Sequence, residues 1–169
     1  MISKKIILIG DFSTGKTSLI RRFVDNQFSD TYLSTIGVKI SKKIITLEDE
    51  TIQGLIWDIE GGTDRKPVNQ TYVKGAHGCI IVADITRDDT IANLASYIDI
   101  VQNIAPSAPF VLALNKADCL DEESRQKILQ NTTEQYKNIT ASLYLTSAKT
   151  GEGVETMFQE IAKLMLDKG

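Results

Sequence analysis

The segment that most constrains this chain runs from Ile6 to Thr17, Ile-Ile-Leu-Ile-Gly-Asp-Phe-Ser-Thr-Gly-Lys-Thr. A short apolar run, Ile6 to Ile9, stops at Gly10, and Gly15-Lys16-Thr17 leads into Leu19, Ile20 and Phe23 at helical spacing. A continuous apolar run of that length suits a strand covered on both faces, as in a parallel sheet. Strand, glycine-bounded loop and helix, with the spacing G-x-x-x-x-G-K-T, form a unit whose backbone N–H groups curl around a polyphosphate. The helix that follows aims its positive dipole end at the same anion. Lys16 can reach β- and γ-phosphate oxygens, and the Thr17 hydroxyl can ligate Mg²⁺.

The rhythm continues along the chain. Cys79 to Ala83 ends at Asp84, Phe110 to Leu114 at Asn115, and Leu143 to Leu145 at Thr146. Between these runs lie helical stripes, one through Ile91, Leu94, Ile98 and Val101 and another through Val154, Met157, Phe158, Ile161 and Leu164. Strand alternating with helix predicts a doubly wound α/β fold. Segments 38–47 and 51–57 break the alternation and read as an antiparallel hairpin at one edge, turning near Glu48-Asp49-Glu50. No repeat, low-complexity tract or linker divides the 169 residues, so a single domain over 1–169 is expected.

Composition narrows the partners. With 19 Lys and Arg against 22 Asp and Glu, the net charge of −3 gives no electrostatic case for nucleic acid. Cys79 and Cys119 have neither disulfide-framework nor metal-knuckle spacing, and a reducing cytoplasm is the expected compartment. No apolar run approaches the ~20 residues of a membrane span. His77 has no second ligand near it and reads as structural.

Two later segments choose the base. Asn115-Lys116-Ala117-Asp118 and Thr146-Ser147-Ala148-Lys149 each follow a strand, at the carboxyl ends where open α/β sheets bind ligands. A carboxylate at Asp118 can accept both the N1–H and the exocyclic N2–H of guanine. Adenine lacks that donor pair and leaves the carboxylate poorly satisfied. The stems of Lys116 and Lys149 can sandwich the purine, and the Ala148 N–H can bond O6.

Together these motifs resemble the Ras superfamily of small GTPases, and within it the Rab branch most closely. The similarity covers essentially the whole chain. Tyr32-Leu33-Ser34-Thr35-Ile36-Gly37-Val38 is close to the first switch of Rab proteins, and Trp57-Asp58-Ile59-Glu60-Gly61-Gly62 stands where the family has W-D-T-A-G-Q. The resemblance implies a six-stranded, mostly parallel sheet with one antiparallel edge strand and helices on both faces. It implies GTP and GDP as ligands with Mg²⁺, bound by loop residues Asp11, Phe12, Ser13, Thr14, Gly15, Lys16, Thr17 and Ser18. It further implies that Phe28 packs on guanine with Asn115, Lys116, Asp118, Ser147, Ala148 and Lys149 around the base. Thr17, Thr35 and Asp58 are the implied metal ligands. Lys16, Thr35 and the Gly61 N–H are the implied γ-phosphate contacts of catalysis. Segments 26–37 and 60–75 would be ordered by that phosphate and released without it.

Departures from the family bear on chemistry. Gly62 stands where the family has the glutamine that orients the attacking water. Phe12 and Ser13 replace small loop residues, and a phenyl group at 12 would point toward the γ-phosphate. Glu60 stands where the family has alanine, near an anionic ligand or facing solvent. These changes predict slow hydrolysis in a GTP-dependent switch. The alternative is a conventional cycle in which Thr63, Asp64 or an activator supplies the missing group. In the Rab pattern Ile40, Trp57 and Tyr72 form the effector surface, with an exchange factor and an activating protein as further partners of a monomer. The residues 165–169, Met-Leu-Asp-Lys-Gly, carry no prenylation cysteine, so no direct membrane anchor is expected in this chain.

Overall fold

The computed structural model describes residues 1–29, 35–139 and 142–168. Its central sheet contains β1 (Ile2–Gly10), β2 (Val38–Thr46), β3 (Thr51–Ile59), β4 (Gly78–Asp84), β5 (Phe110–Asn115) and β6 (Ser142–Leu145), in the order β2-β3-β1-β4-β5-β6. Only the β2–β3 pair is antiparallel. This is the expected doubly wound sheet with its edge hairpin. β4 and β5 are buried at every position, which is why their sequences are continuously apolar rather than alternating.

Among the described residues, five α-helices cover the sheet: α1 (Lys16–Asp25), α2 (Asp88–Ala92), α3 (Leu94–Ile104), α4 (Glu122–Gln135) and α5 (Val154–Lys168). On one face, Leu19, Ile20 and Phe23 of α1 and Met157, Phe158 and Ile161 of α5 meet Ile6, Leu8 and Ile80. Phe23 and Phe158 stack with ring centroids 4.0 Å apart, and Phe158 has no exposed surface. Truncating a ring so enclosed costs about 3–5 kcal/mol. On the other face, Leu94, Tyr97, Ile98 and Val101 of α3 pack on Ile7, Ile9 and Ile81.

One expectation needs correction, and one helix escaped the sequence reading. The stripe from Ile91 to Val101 is two helices broken at Asn93, whose N–H bonds the Asp89 carbonyl at 3.0 Å. α4 lies outside the stripes read from the sequence because few of its residues are buried. Its start is instead set by a cap, the Asp121 carboxylate accepting from the Ser124 N–H at 2.7 Å.

Candidate functional site

The carboxyl ends of β1, β5 and β6 converge on a cavity of about 330 Å³, within the ~300–1,000 Å³ range of small-molecule pockets. From the loop between β1 and α1 it is lined by Phe12, Ser13, Gly15, Lys16, Thr17 and Ser18. Gly15 has φ +96°, and a Cβ there would collide with the Asn115 side-chain nitrogen, so both backbone and space require glycine. Asn115 Nδ2 donates to the Thr14 carbonyl at 3.0 Å and ties the phosphate loop to the end of β5. Thr14 is therefore fully buried beneath the loop rather than in the cavity.

Lys16 is buried, its Nζ donating to the Asp11 carbonyl at 3.0 Å. Burial pushes its ammonium down to about 8, with Asp58 and Asp11 opposing the shift. A buried cation facing a cavity is a strong site for an anion, which restores the charged form. Asp11 differs from expectation. Its carboxylate turns out of the cavity and accepts from the Tyr97 hydroxyl and Asn93 Nδ2, both at 2.7 Å.

Phe28, Asn115, Lys116, Asp118, Ala148 and Lys149 also line the cavity, with Ser29 and Cys119. Asp118 is oriented by Ser147, whose Oγ donates to Oδ1 at 2.7 Å. Ser147 thus stands behind the wall and holds the carboxylate that faces inward. Lys116 anchors its ammonium on Asp84 Oδ2 and the Ser13 carbonyl, at 3.0 and 2.9 Å, which lays its stem along the cavity. Arg22 of α1 donates through Nε to the Ala148 carbonyl at 2.8 Å and through Nη2 to that of Lys149 at 2.6 Å. Sequence reasoning passed over Arg22, because it lies far along the chain from the loop it supports.

Between the phosphate loop and β3, three oxygens gather. Thr17 Oγ1 stands 2.5 Å from both Thr35 Oγ1 and Asp58 Oδ2, and Thr35 Oγ1 donates to the same carboxylate oxygen at 3.2 Å. Burial raises the Asp58 pKa, opposed by the bonds from Thr17 and Thr35 and the charge of Lys16. Its other oxygen, Oδ1, is buried without a hydrogen-bond partner. A buried, unsatisfied carboxylate oxygen beside two hydroxyls fits a hard cation such as Mg²⁺.

Glu60 does not line the cavity and is partly exposed beside it. Its Oε2 accepts from the Gly37 N–H at 3.3 Å and pairs with Lys66 at 3.0 Å, while its own N–H donates to the Gly37 carbonyl at 2.8 Å. Gly61 lines the cavity; Gly62 does not. Phe12 lines it and is 42% exposed. Ile40 opposes Trp57 across the β2–β3 register, and the Trp57 and Tyr72 rings lie 6.3 Å apart. Lys5 Nζ caps the indole at 3.6 Å from its centroid. Of the first-switch motif, Tyr32, Leu33 and Ser34 lie outside the described residues.

A glycine-bounded loop between β1 and α1 on a mostly parallel six-stranded sheet defines the P-loop GTPase fold. The Ras family profile matches residues 5–167, and the chain belongs to that family. The Ras-related protein Rab-1 of Theileria annulata is 36% identical over 166 residues, 97% of this chain and 74% of that protein. Rab-1 of Theileria parva matches to the same extent. Members of the family bind guanine nucleotides and hydrolyse GTP. Among the described residues no helix is long and apolar enough to cross a membrane.

Proposed function

We propose that residues 1–169 act as a single G domain: a cytoplasmic, monomeric switch that binds GTP or GDP with Mg²⁺ and hydrolyses GTP slowly. One observation carries this reading. The phosphate loop, the Asp118–Ser147 pair and the Thr17–Thr35–Asp58 oxygens all border or adjoin one cavity. Together they offer partners for the phosphates, the metal and the base of a nucleotide.

In this reading Asp118 accepts the two guanine N–H donors, and the Ala148 N–H bonds O6. Phe28 and the stems of Lys116 and Lys149 cover the ring. The amides from Ser13 to Ser18 and the Lys16 ammonium hold the phosphates, with the Gly61 N–H directed at the γ-phosphate. Thr17, Thr35 and Asp58 would hold Mg²⁺, which when bound neutralises charge on the β- and γ-phosphate oxygens. Positioning of water is the step this chain supports poorly, since Gly62 has no side chain and Phe12 crowds the phosphate end. Thr63 is a weak substitute for the glutamine, because its hydroxyl already accepts from the Lys66 N–H at 3.0 Å in a tight turn. Ile40, Trp57 and Tyr72 form the surface for effector proteins, and exchange and activating proteins would act through the switch segments.

The test is single-turnover hydrolysis of GTP preloaded on the purified protein, read as the GTP to GDP ratio over time. The expected rate lies below the ~10⁻⁴ s⁻¹ of an unassisted family member that retains its glutamine. A rate at or above that value refutes slow hydrolysis, and failure to retain any guanine nucleotide refutes the site.

A further inference from the structure

Position 62, where the family has glutamine, faces Tyr97 of α3. A Cβ at Gly62 would stand 2.5 Å from the Tyr97 hydroxyl oxygen and 3.2 Å from Val68 Cγ2. The first separation is shorter than real Cβ contacts, so no side chain fits at 62 in this arrangement. Tyr97 is not free to swing away. It is 7% exposed, packed in the layer beneath α3, and its hydroxyl donates to Asp11 Oδ1 at 2.7 Å. Asn93 Nδ2 fixes the other Asp11 oxygen at the same distance.

The backbone at 61–62 is equally constrained. Gly62 N–H donates to the Gly10 carbonyl at 3.1 Å, and the Phe12 N–H donates to the Gly62 carbonyl at 2.9 Å, a parallel bridge onto the phosphate loop. A Cβ at Gly61 would meet Phe12 Cα at 2.5 Å and its nitrogen at 2.7 Å. Both glycines are therefore what allows this segment to lie against the loop. A Cβ at 62 comes up against the Tyr97 hydroxyl of α3 first.

We propose that Tyr97, held by Asp11, is a positioning residue that closes off the side-chain space of position 62 while backbone bonds hold segment 61–62 on the phosphate loop. Tyr97 keeps any side chain at position 62 from reaching the γ-phosphate. The absence of glutamine and the presence of Tyr97 are then one device rather than two separate features. The inference rests on reading the cavity as a GTP site, but its packing half stands without that.

The test is a double-mutant cycle in the full chain with Gly62→Gln, Tyr97→Phe and the pair, read by thermal midpoint and by single-turnover hydrolysis of preloaded GTP. Gly62→Gln alone is expected to lower the midpoint by several degrees and to raise the rate by less than twofold. Combined with Tyr97→Phe, which removes the clashing oxygen, the glutamine is expected to cost little further midpoint. The pair should hydrolyse GTP at least tenfold faster than Gly62→Gln alone. Should Gly62→Gln not fold, Gly62→Ala carries the clashing carbon alone and runs the midpoint cycle. An equal midpoint loss in both backgrounds overturns the proposal, as does a tenfold rate gain from Gly62→Gln alone. Coupled midpoints without faster turnover by the pair overturn it too, because Tyr97 then has no hold on hydrolysis. If wild-type protein retains no GTP, the site reading fails separately and the midpoint cycle alone decides.

Discussion

The Arg22 guanidinium reaches from α1 to the Ala148 carbonyl at 2.8 Å, joining the helix that follows the phosphate loop to the loop after β6. A second bond to the Lys149 carbonyl makes the junction two-pronged. Both ends of the proposed nucleotide site therefore share one rigid support. A charge-assisted hydrogen bond contributes about 1.5–3 kcal/mol. Arg22→Ala is expected to speed release of a fluorescent GDP analogue about tenfold, with unchanged circular dichroism. Release at the wild-type rate would remove Arg22 from that role.

Guanine selectivity is assigned to Asp118, aimed by Ser147. In competition titrations, Asp118→Ala should cut the preference for GDP over ADP by about 10³ or more, the scale on which unpaired polar groups discriminate. Ser147→Ala should reduce it less, since it frees the carboxylate without deleting it.

The hydroxyl and carboxylate cluster predicts a metal requirement. Adding EDTA to the wild type should accelerate nucleotide release at least tenfold, measured by fluorescence decay. In Asp58→Ala, release should be fast beforehand and respond little to EDTA. A strong EDTA response in that variant would place the metal elsewhere.

Cys119 lines the cavity and is exposed, whereas Cys79 is buried and its thiol is pushed up to about 12. A maleimide should therefore add once to the native protein, at Cys119, as read by mass spectrometry. Saturating GDP with Mg²⁺ should slow that addition several-fold. Burial and the nearby Asp118 and Asp84 charges raise the Cys119 pKa, so labelling should quicken as pH rises.

His77 Nδ1 accepts from the Lys5 backbone N–H at 2.8 Å, and the His77 backbone N–H donates to the Lys5 carbonyl. Burial, with Lys4 and Lys5 charges, lowers its pKa below the ordinary 6.5. The unfolded chain therefore takes up the proton first as pH falls. The stability His77 contributes is present above about pH 6.5 and declines below it, as pH falls through the folded value. Denaturant midpoints between pH 7.5 and 5.5 should drop less for His77→Gln, whose amide does not titrate.

Legibility in the sequence followed a physical division. The phosphate loop, the Asn115–Asp118 segment and the Thr146–Lys149 segment are short contiguous stretches at strand ends. Their fold and order could be read because local backbone geometry and ligand chemistry use adjacent residues. The β2–β3 hairpin was legible for the same reason, its partners being close along the chain.

Other features depend on which way a side chain turns, and neighbours from distant segments decide that. Asp11 stands in the phosphate loop by sequence, yet Tyr97 and Asn93 draw its carboxylate to α3. Glu60 next to a proposed phosphate site reads as a stray charge, yet the Gly37 amide bonds its Oε2 and Lys66 reaches both its oxygens. At Gly62 the sequence reports only a missing glutamine. The Tyr97 hydroxyl 2.5 Å from where a Cβ would stand shows that the position is already filled. The sequence by itself determined the fold and the ligand class, which rest on contiguous motifs. The tertiary structure decided what each variable residue faces, because close packing joins atoms that the chain keeps far apart.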